Sequence, residues 1–330
     1  MLKIGVLGVG YLGKIHLKCL QMLGHTYQMV GFYDPNDQAA AAVAAEFGVQ
    51  RWHNPDELLD AVDVVDIVTP TTTHYEMAAK ALSKGKHIFI EKPLTHTLEE
   101  ADELMRLYRE KGVKVQVGHV ERFNPALLAL GDFALNPMFV EAHRLAVFNP
   151  RGADVSVILD LMIHDLDILL SLVKSPVKQV SASGVAVVSD SPDIGNARIE
   201  FENGCVANLT ASRISLKQMR KLRLFQKDAY ISLDFLEKQA QVVRLSDENT
   251  FAEGENTPVM ELETAKGKKY IQMSMPEIQP VNAIKMELES FASSITRDER
   301  PVVSIEDGYS ALKLAYRINE DMDRRLQDLA

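Results

Sequence analysis

The chain reads Met1-Leu-Lys-Ile-Gly-Val-Leu-Gly-Val-Gly-Tyr-Leu-Gly13 over its first thirteen residues. An apolar run stops there at a glycine turn, and a helical pattern follows directly. Gly8, Gly10 and Gly13 have the spacing at which glycines supply a tight bend, a close backbone approach, and close packing of a helix on a strand. The backbone N–H groups at the start of such a helix can bind a pyrophosphate. An ordinary glycine-containing strand-to-helix turn is the alternative interpretation.

The context of the glycine turn favours dinucleotide binding. A helical pattern over about 11–23 leads into a second apolar run that ends at Asp34. A ribose-binding acid is expected at about this distance, roughly twenty residues beyond the last glycine. Its carboxylate would repel a 2′-phosphate, and no arginine follows it closely in the sequence. The pattern therefore predicts NAD rather than NADP as the cofactor, with Tyr11 and Leu12 beside it.

The bulk composition narrows the class of protein. The 330 residues are 46% hydrophobic and 25% charged, which is ordinary for a globular chain long enough for two domains. A formal net charge of −10 argues against nucleic acid as a partner. Cys19 and Cys205 lack the spacing of a disulfide framework or a zinc site. No uncharged apolar segment approaches membrane-spanning length, so we expect a cytoplasmic protein without a membrane partner.

Strand-like and helical patterns alternate from residue 1 to about 119, which predicts a doubly wound parallel sheet of the Rossmann type. The predicted strands lie near 3–7, 28–33, 64–68, 86–90 and 113–118. The predicted helices lie near 11–23, 36–47, 55–60, 73–83 and 97–111. Thr97 and Glu100 have capping-box spacing and mark a helix start.

Two loops of this region follow predicted strand ends, where an open α/β sheet forms its ligand crevice. The first is Thr69-Pro-Thr-Thr-Thr-His74, whose hydroxyls and helix N-terminus can face the phosphates or the nicotinamide ribose. A cluster of helix-capping residues is the alternative. The second is Glu91-Lys92-Pro93, which places a charged pair directly after an apolar strand. A solvated loop lysine is the alternative there.

The alternation ends after residue 119, so we place a junction there between a cofactor domain, 1–119, and a second domain, 120–330. The second domain is predicted to be α+β, with a mostly antiparallel sheet. Its predicted elements are a helical stretch to about 131, a strand near 138–148, antiparallel strands over 177–244, an exposed loop at 245–258, and helices near 280–296 and 306–327.

The densest polar segment of the second domain is residues 158–170. If this segment is helical, Asp160, His164 and Asp167 share one face, which is then a candidate catalytic surface. An amphipathic helix with a solvated acidic side is the alternative. A metal site is not predicted, because no second histidine follows at helical spacing.

Several separated features together resemble the Gfo/Idh/MocA family of NAD(P)-dependent oxidoreductases over nearly the whole chain. They are the glycine turn at 8–13, Thr69-Pro70 with His74, Glu91-Lys92-Pro93, Gly118 with Arg122, and Asp160 with His164. The resemblance implies that Lys92, Asp160 and His164 meet over the nicotinamide. It also implies an open sheet in the second domain that forms the interface of a homodimer or homotetramer.

One stretch departs from the family pattern. Many members carry a glycine pair and then Asp-x-Gly-x-His, whereas residues 154–164 here retain only Asp160 and His164. With residues 118–125, this variant looks most like the branch that oxidises the 3-hydroxyl of UDP-N-acetylhexosamines and their uronic acids. Arg122 and Asn124 follow a predicted strand end and could bind a diphosphate or an acetamido group.

These expectations describe a dehydrogenase that takes a hydride from a secondary alcohol of a sugar or nucleotide sugar. Either His164 or Lys92 could accept the hydroxyl proton, and Asp160 could hold the imidazole or a sugar hydroxyl. Two alternatives remain at this point. One is a dehydrogenase of the same family that acts on a free sugar, inositol or another cyclic polyol, and the other is a non-catalytic NAD(H)-binding sensor.

Overall fold

The computed structural model describes residues 1–149, 155–248, 259–265 and 267–329. The chain forms two compact units. The first comprises Met1–Phe123 and Asn282–Lys313, and the second comprises Asn124–Val281 and Leu314–Ala330. Residues 282–313 therefore pack with the N-terminal unit, whereas the division predicted from the sequence assigned them to the second domain.

The first unit contains a six-stranded sheet with the order β3-β2-β1-β4-β5-β6, and every neighbouring pair in it is parallel. Its strands are β1 (Leu2–Leu7), β2 (Tyr27–Tyr33), β3 (Arg51–Trp52), β4 (Val64–Ile67), β5 (His87–Glu91) and β6 (Val115–Gly118). The predicted doubly wound sheet is confirmed. Only the two-residue strand β3 was not predicted, because it is too short to show a pattern.

Five helices connect the strands of this sheet. They are α1 (Tyr11–Met22), α2 (Asp37–Phe47), α3 (Pro55–Ala61), α4 (His74–Ser83) and α5 (Leu98–Arg109). The helix starts have local causes: the Asn36 side chain accepts from the Ala39 N–H, and Thr97 and Glu100 form the predicted capping box. All five helices lie within a few residues of their predicted ranges.

Helix α8 (Ala283–Thr296), which follows the second unit's strands in the chain, completes the core of the first unit. Its Leu288 and Phe291 side chains are fully buried, and the Phe291 ring packs against Phe89 of β5 with ring centroids 6.1 Å apart. The Tyr27 hydroxyl donates a 2.8 Å hydrogen bond to the Leu288 carbonyl. This apolar face is the physical reason why residues 282–313 belong with the N-terminal sheet.

The second unit contains a nine-stranded sheet with the order β14-β15-β13-β12-β11-β7-β10-β9-β8. Its strands are β7 (Phe139–Leu145), β8 (Val177–Val185), β9 (Ile194–Phe201), β10 (Val206–Ser212), β11 (Met219–Phe225), β12 (Ala229–Asp234), β13 (Gln239–Ser246), β14 (Val259–Thr264) and β15 (Gly267–Ser274). The sheet is mostly antiparallel, as predicted. The exception is the parallel pair of β7 and β10, which forms because β7 inserts between β10 and β11.

The loop predicted at 245–258 is only partly described. Strand β13 continues to Ser246, and residues 249–258 lie outside the described residues. Strands β14 and β15 follow in a stretch where no element was predicted.

One face of the nine-stranded sheet is covered by helices of the same unit. They are α6 (Pro125–Leu128), a π-helical turn (Ile158–Met162), α7 (Ile163–Leu172) and the part of α9 (Ile305–Leu329) beyond Lys313. Alternate residues of β9 and β10 are buried on this side, among them Ile199 and Leu209. The opposite face carries polar side chains. In the described part of the chain, no helix is both long enough and apolar enough to cross a membrane.

Candidate functional site

A cavity of about 600 Å³ opens in the first unit, beside the residues that follow the carboxyl ends of β1, β2, β4 and β5. Loops at this edge of a parallel sheet form the usual ligand crevice. The predicted cofactor residues that line it are Gly8, Gly10, Tyr11, Leu12, Asp34, Thr69, Pro70, His74, Glu91 and Lys92. Sequence patterns missed other lining residues, such as Tyr33 and Met77, because nothing in their spacing marks them.

The glycine turn has the shape that a pyrophosphate requires. Gly8 has φ +91°, and a Cβ there would lie 2.8 Å from the Thr69 nitrogen. A Cβ on Gly13 would lie 2.2 Å from the Gly8 carbonyl oxygen, so this glycine serves close packing. In contrast, no atom lies within 4 Å of a Cβ placed on Gly10, which is the N-cap of α1 and has no side-chain cap. Gly10 therefore leaves an open cradle at the helix N-terminus, and phosphate oxygens fit there.

Asp34 is fixed beside this cradle at the end of β2. Its Oδ2 accepts a 2.9 Å hydrogen bond from the Val9 N–H, and its Oδ1 accepts one of 2.9 Å from the Asn36 N–H. A carboxylate oxygen has two acceptor sites, so each can also accept from a ribose hydroxyl. The position agrees with the ribose-binding role predicted from the sequence.

Arg51 lies next to Asp34 although it is seventeen residues further along the chain. Strand β3 pairs with the end of β2, and the Arg51 Nη2 group donates to the Asp34 carbonyl oxygen at 3.3 Å. The same guanidinium forms an ion pair with Asp37. No arginine follows Asp34 closely in the sequence, but Arg51 lies beside it in the folded protein.

His74 joins the two loops that were singled out in the sequence. It is buried, with Nδ1 2.9 Å from the Pro93 carbonyl oxygen and Nε2 2.9 Å from the Thr69 carbonyl oxygen. Burial lowers the pKa of His74, so the neutral ring donates to one carbonyl at a time. The preceding residues form a 3₁₀ turn, and Thr73 makes no side-chain cap. The loop is therefore held by His74 rather than by a cluster of capping hydroxyls.

Glu91 and Lys92 form one wall of the cavity. The Glu91 side chain points inwards and is buried, and its Oε2 accepts from the Lys92 N–H at 3.2 Å. A Cβ on Gly118 would lie 2.7 Å from Glu91 Oε1, which explains the glycine at that position. The Lys92 side chain is half-buried at the cavity, so it is not a freely solvated loop lysine.

Two buried residues behind this wall escaped sequence analysis. His16 of α1 and Asp66 of β4 are each 0% exposed, and His16 Nδ1 lies 2.9 Å from Asp66 Oδ2. The other ring nitrogen, Nε2, lies 3.2 Å from Glu91 Oε1. A signal was present, since Asp66 interrupts the apolar run of a strand that is buried throughout.

Asp160 and His164 lie in the second unit. Asp160 is in the π-helical turn and His164 is in the first turn of α7, and both are half-buried. The Ile163 N–H donates to the Ile158 carbonyl, five residues back, which makes the turn wider than in an α-helix. The wider turn changes which residues share a face. Asp167, which the sequence placed on the same face as Asp160 and His164, is 1% exposed, so its side chain is not part of an open surface.

The neighbour of His164 has a structural partner that was not predicted. Asp165 accepts two hydrogen bonds of 2.9 Å from Arg144 of β7, one from Nε and one from Nη2. Both side chains are 4% exposed. The alternative of a solvated acidic helix face is therefore not what the fold contains.

The two proposed substrate residues differ in their surroundings. Arg122 lies half-buried in a 3₁₀ turn of the first unit. Asn124 is 8% exposed and caps α6: its Oδ1 accepts from the Ala126 N–H at 3.0 Å, and its Nδ2 donates to the Phe235 carbonyl at 3.1 Å. These contacts account for Asn124 without a ligand, and its substrate-binding role stays a prediction.

The structure thus brings the predicted cofactor residues together in one cavity of the first unit. Asp160 and His164 are neighbours within the second unit, and their meeting with Lys92 over a nicotinamide ring stays a prediction. Among residues 1–149, 155–248, 259–265 and 267–329, no three His, Cys, Asp or Glu side chains are grouped as metal ligands.

Comparisons with known families match both parts of the chain. Residues 2–119 match the oxidoreductase family with an NAD-binding Rossmann fold, GFO_IDH_MocA. Residues 140–231 match the GFO/IDH/MocA C-terminal domain.

Individual relatives agree with these matches. UDP-N-acetylglucosamine 3-dehydrogenase of Acidithiobacillus ferrooxidans is 43% identical over 236 residues, which are 71% of this chain and 74% of that enzyme. A solved structure of that dehydrogenase superposes with a TM-score of 0.86 at 34% identity and covers 98% of each chain. The NAD(+)-dependent scyllo-inositol 2-dehydrogenase of Bacillus subtilis is 34% identical over 232 residues, which are 64% of this chain and 68% of that enzyme.

The glycine cradle, the ribose-facing carboxylate and the charged wall agree with these matches, and the cofactor is NAD. The chain is therefore an NAD-dependent dehydrogenase, and it belongs to the Gfo/Idh/MocA oxidoreductase family.

Proposed function

We propose that this enzyme oxidises the 3-hydroxyl of a UDP-linked N-acetylhexosamine to a 3-keto sugar, with NAD as the hydride acceptor. The observation that carries the proposal is the similarity to the UDP-N-acetylglucosamine 3-dehydrogenase, whose solved structure matches 98% of this chain. The variant segment around Asp160 and His164, which departs from the common family pattern, also supports it.

The first unit supplies the cofactor's binding groups. The N-terminus of α1 at Gly10 would hold the pyrophosphate, and Asp34 would accept from the ribose hydroxyls. When bound, NAD supplies the hydride-accepting ring. The protein's own task is to orient the alcohol and to remove its proton as negative charge develops on the oxygen.

Two residues are candidates for the proton acceptor. His164 carries an imidazole, the side chain that most often serves as a general base, and it follows the π-helical turn that carries Asp160. Lys92 lies half-buried on the wall of the cofactor cavity, and its amine is the other candidate base. In either case Asp160 would hold the imidazole or a neighbouring sugar hydroxyl. Arg122 and Asn124 would contact the diphosphate or the acetamido group.

A second candidate function is oxidation of a free cyclic polyol. The similarity to a scyllo-inositol 2-dehydrogenase favours it, although that match covers a smaller share of the chain. Both candidates share the cofactor and the acid–base groups, so they differ only in what the substrate region accepts.

We further propose that the enzyme works in the cytoplasm as a homodimer or homotetramer formed through the nine-stranded sheet. One face of this sheet is covered by helices, whereas the other carries side chains such as Glu141, His143 and Arg198 around a surface hollow of about 530 Å³. A second copy of the same face could pair these opposite charges. Sedimentation of the purified protein, with and without charge reversal at Arg198, tests this arrangement.

The decisive experiment offers the enzyme NAD with a panel of UDP-N-acetylhexosamines, their uronic acids, free sugars and inositols. Absorbance of reduced cofactor is recorded, and mass spectrometry identifies the product. A stoichiometric burst also counts, because reduced cofactor can be retained. Reduction with a UDP-N-acetylhexosamine and appearance of a 3-keto sugar is the expected result. Reduction with inositol alone would reject the nucleotide-sugar substrate and leave the dehydrogenase assignment intact.

A further inference from the structure

A buried cluster of ionisable groups lies behind the cofactor cavity and has no part in the chemistry described above. It consists of Asp66, His16 and Glu91, which come from β4, α1 and the end of β5. The two carboxylates and the imidazole between them form a row from the interior of the unit to the cavity wall. His16 is in the middle, with Asp66 Oδ2 at 2.9 Å on one side and Glu91 Oε1 at 3.2 Å on the other.

The position of Glu91 is fixed from three directions. His16 Nε2 faces one carboxylate oxygen, the Lys92 N–H donates to the other at 3.2 Å, and Gly118 leaves no room beyond Oε1. Glu91 also lines the cavity, so its charge is part of the cavity's electrostatic potential. A carboxylate that is only 8% exposed remains ionised only if donors face it.

The protonation of His16 decides whether such a donor is present. Burial opposes a charge on His16, but ion pairing and hydrogen bonding with Asp66, together with Glu91, raise its pKa well above the ordinary value. The proton between His16 Nδ1 and Asp66 Oδ2 can lie on the imidazole or on the carboxylate. In both states Nε2 can carry a hydrogen that points towards Glu91. In both forms the Nε2–H group stands 3.2 Å from Glu91 Oε1 and makes an electrostatic contact with the cavity wall.

We propose that His16, held by Asp66, is a positioning residue that holds the Glu91 carboxylate in a fixed place on the wall of the NAD cavity. The Glu91 charge favours the oxidised cofactor, whose nicotinamide ring is positive, over the neutral reduced ring. Lys92 on the same wall is unchanged in every variant below, so the difference between variants reports on Glu91. His16 thereby sets the ratio of the dissociation constants of NAD⁺ and NADH. The inference concerns cofactor binding and does not depend on the sugar substrate.

Other titratable groups near the cluster do not replace His16 in this role. Burial raises the pKa of Cys19 and of Tyr27 and lowers that of His74, so these three are neutral near pH 7. Lys285 of α8 interacts with Cys19.

Two isosteric variants separate the hydrogen bond of His16 to Asp66 from its ion-pair contact with Glu91. In His16→Gln the amide nitrogen stands at about the place of Nε2 and can still donate to Glu91. In His16→Asn the amide nitrogen stands at about the place of Nδ1, so it faces Asp66 and leaves Glu91 without this donor. Glu91→Gln removes the charge itself and is the reference for its complete loss.

The test measures dissociation constants of NAD⁺ and NADH by titration between pH 6 and pH 9. The wild type and His16→Gln are expected to show the same ratio, independent of pH. His16→Asn and Glu91→Gln should weaken NAD⁺ binding about three- to tenfold relative to NADH, the scale of one charge interaction at a partly desolvated site.

A purely structural role for His16 predicts a different result, in which both variants weaken NAD⁺ and NADH equally. That outcome would overturn the proposal.

A second measurement uses the wild-type protein alone. Nitrogen NMR of ¹⁵N-histidine-labelled protein reports the protonation of each ring nitrogen. A protonated Nε2 in His16 from pH 6 to pH 9 is expected, and an unprotonated Nε2 at pH 8 would also overturn the proposal. Thermal melts of all variants identify any that fail to fold.

Discussion

Arg144 donates two parallel hydrogen bonds to Asp165, from Nε to Oδ2 and from Nη2 to Oδ1, each 2.9 Å long. This buried fork joins β7 to the first turn of α7, in the residue that follows His164. A bidentate pair fixes orientation as well as distance. The position of the candidate proton acceptor therefore depends on a buried ion pair within the second unit.

Arg144→Met should lower the free energy of unfolding by about 3–5 kcal/mol, because it leaves the Asp165 carboxylate buried without its charged partner. Urea denaturation followed by circular dichroism measures the loss. The double variant Arg144→Met with Asp165→Leu is the control, and it should recover most of the stability. A single variant within about 1 kcal/mol of the wild type would show that the pair is not a structural anchor.

The glycines of the first turn should separate binding from stability. Gly10→Ala meets no neighbouring atom, so it should fold normally, but its methyl group enters the phosphate cradle and should weaken NAD binding about tenfold or more. Gly13→Ala pushes a methyl group against the Gly8 carbonyl and should cost about 1–3 kcal/mol of stability. Calorimetric titration and thermal melts of both proteins measure the two effects. Equal loss of NAD affinity at equal stability would contradict the distinction.

Cofactor preference should depend on Asp34 and Arg51 together. Asp34→Ala removes the ribose acceptor and should weaken NAD binding about ten- to hundredfold, the scale of hydrogen bonds to a charged group. It should also permit NADP to bind, since the Arg51 guanidinium already lies beside that position. Titration of both cofactors tests this. If NADP binds the double variant Asp34→Ala with Arg51→Ala as well as it binds Asp34→Ala, Arg51 has no part in the preference.

Lys92→Ala and His164→Ala should each lower turnover about a hundredfold or more, the usual scale for loss of acid–base catalysis. Binding of NAD should remain nearly intact, because neither change touches the glycine turn or Asp34. Steady-state rates with the substrate identified by the panel, and NAD titrations, measure both. Unchanged turnover in both variants would mean that these side chains are not the acid–base pair.

Stability should depend on pH through Asp193. Burial raises the pKa of this carboxyl, but N–H donors of Val187, Val188 and Ser189 prevail and lower it. A folded pKa below the unfolded value means stabilisation that is present above about pH 4 and is lost as the pH falls through the folded pKa. Asp193→Asn should therefore cost about 1–3 kcal/mol at pH 7 and progressively less below pH 4. A constant difference across this range would refute the linkage.

Local patterns were sufficient for much of the cofactor unit. The glycine turn and Asp34 lie at fixed distances along the chain. Each predicted strand and helix of the first unit also shows the pattern of apolar residues that is typical of its type. Sequence spacing alone therefore placed the cradle, the ribose carboxylate and Lys92 in one cavity.

Contacts between distant parts of the chain could not be predicted in this way. Arg51 reaches Asp34 only through the pairing of β2 and β3, and His16 meets Glu91 only when α1 packs on the sheet. The π-helical turn before His164 changes the phase between Asp160 and the residues of α7 in a pattern that was interpreted with 3.6 residues per turn. Residues 282–313 show the same limit, because an amphipathic helix does not indicate which core it will cover.

The placement of α8 has a consequence for the order of events during synthesis. Residues 1–123 leave the ribosome long before residue 282, and about 160 residues at 5–20 residues per second take roughly 8–30 s. Until then the Tyr27 hydroxyl lacks the Leu288 carbonyl, and Phe89 lacks the Phe291 ring. The apolar surface that α8 will cover on the cofactor unit therefore stays exposed while the strands of the nine-stranded sheet are translated. In the cell, a chaperone that binds exposed apolar surface would find the largest such surface on the cofactor unit during this interval.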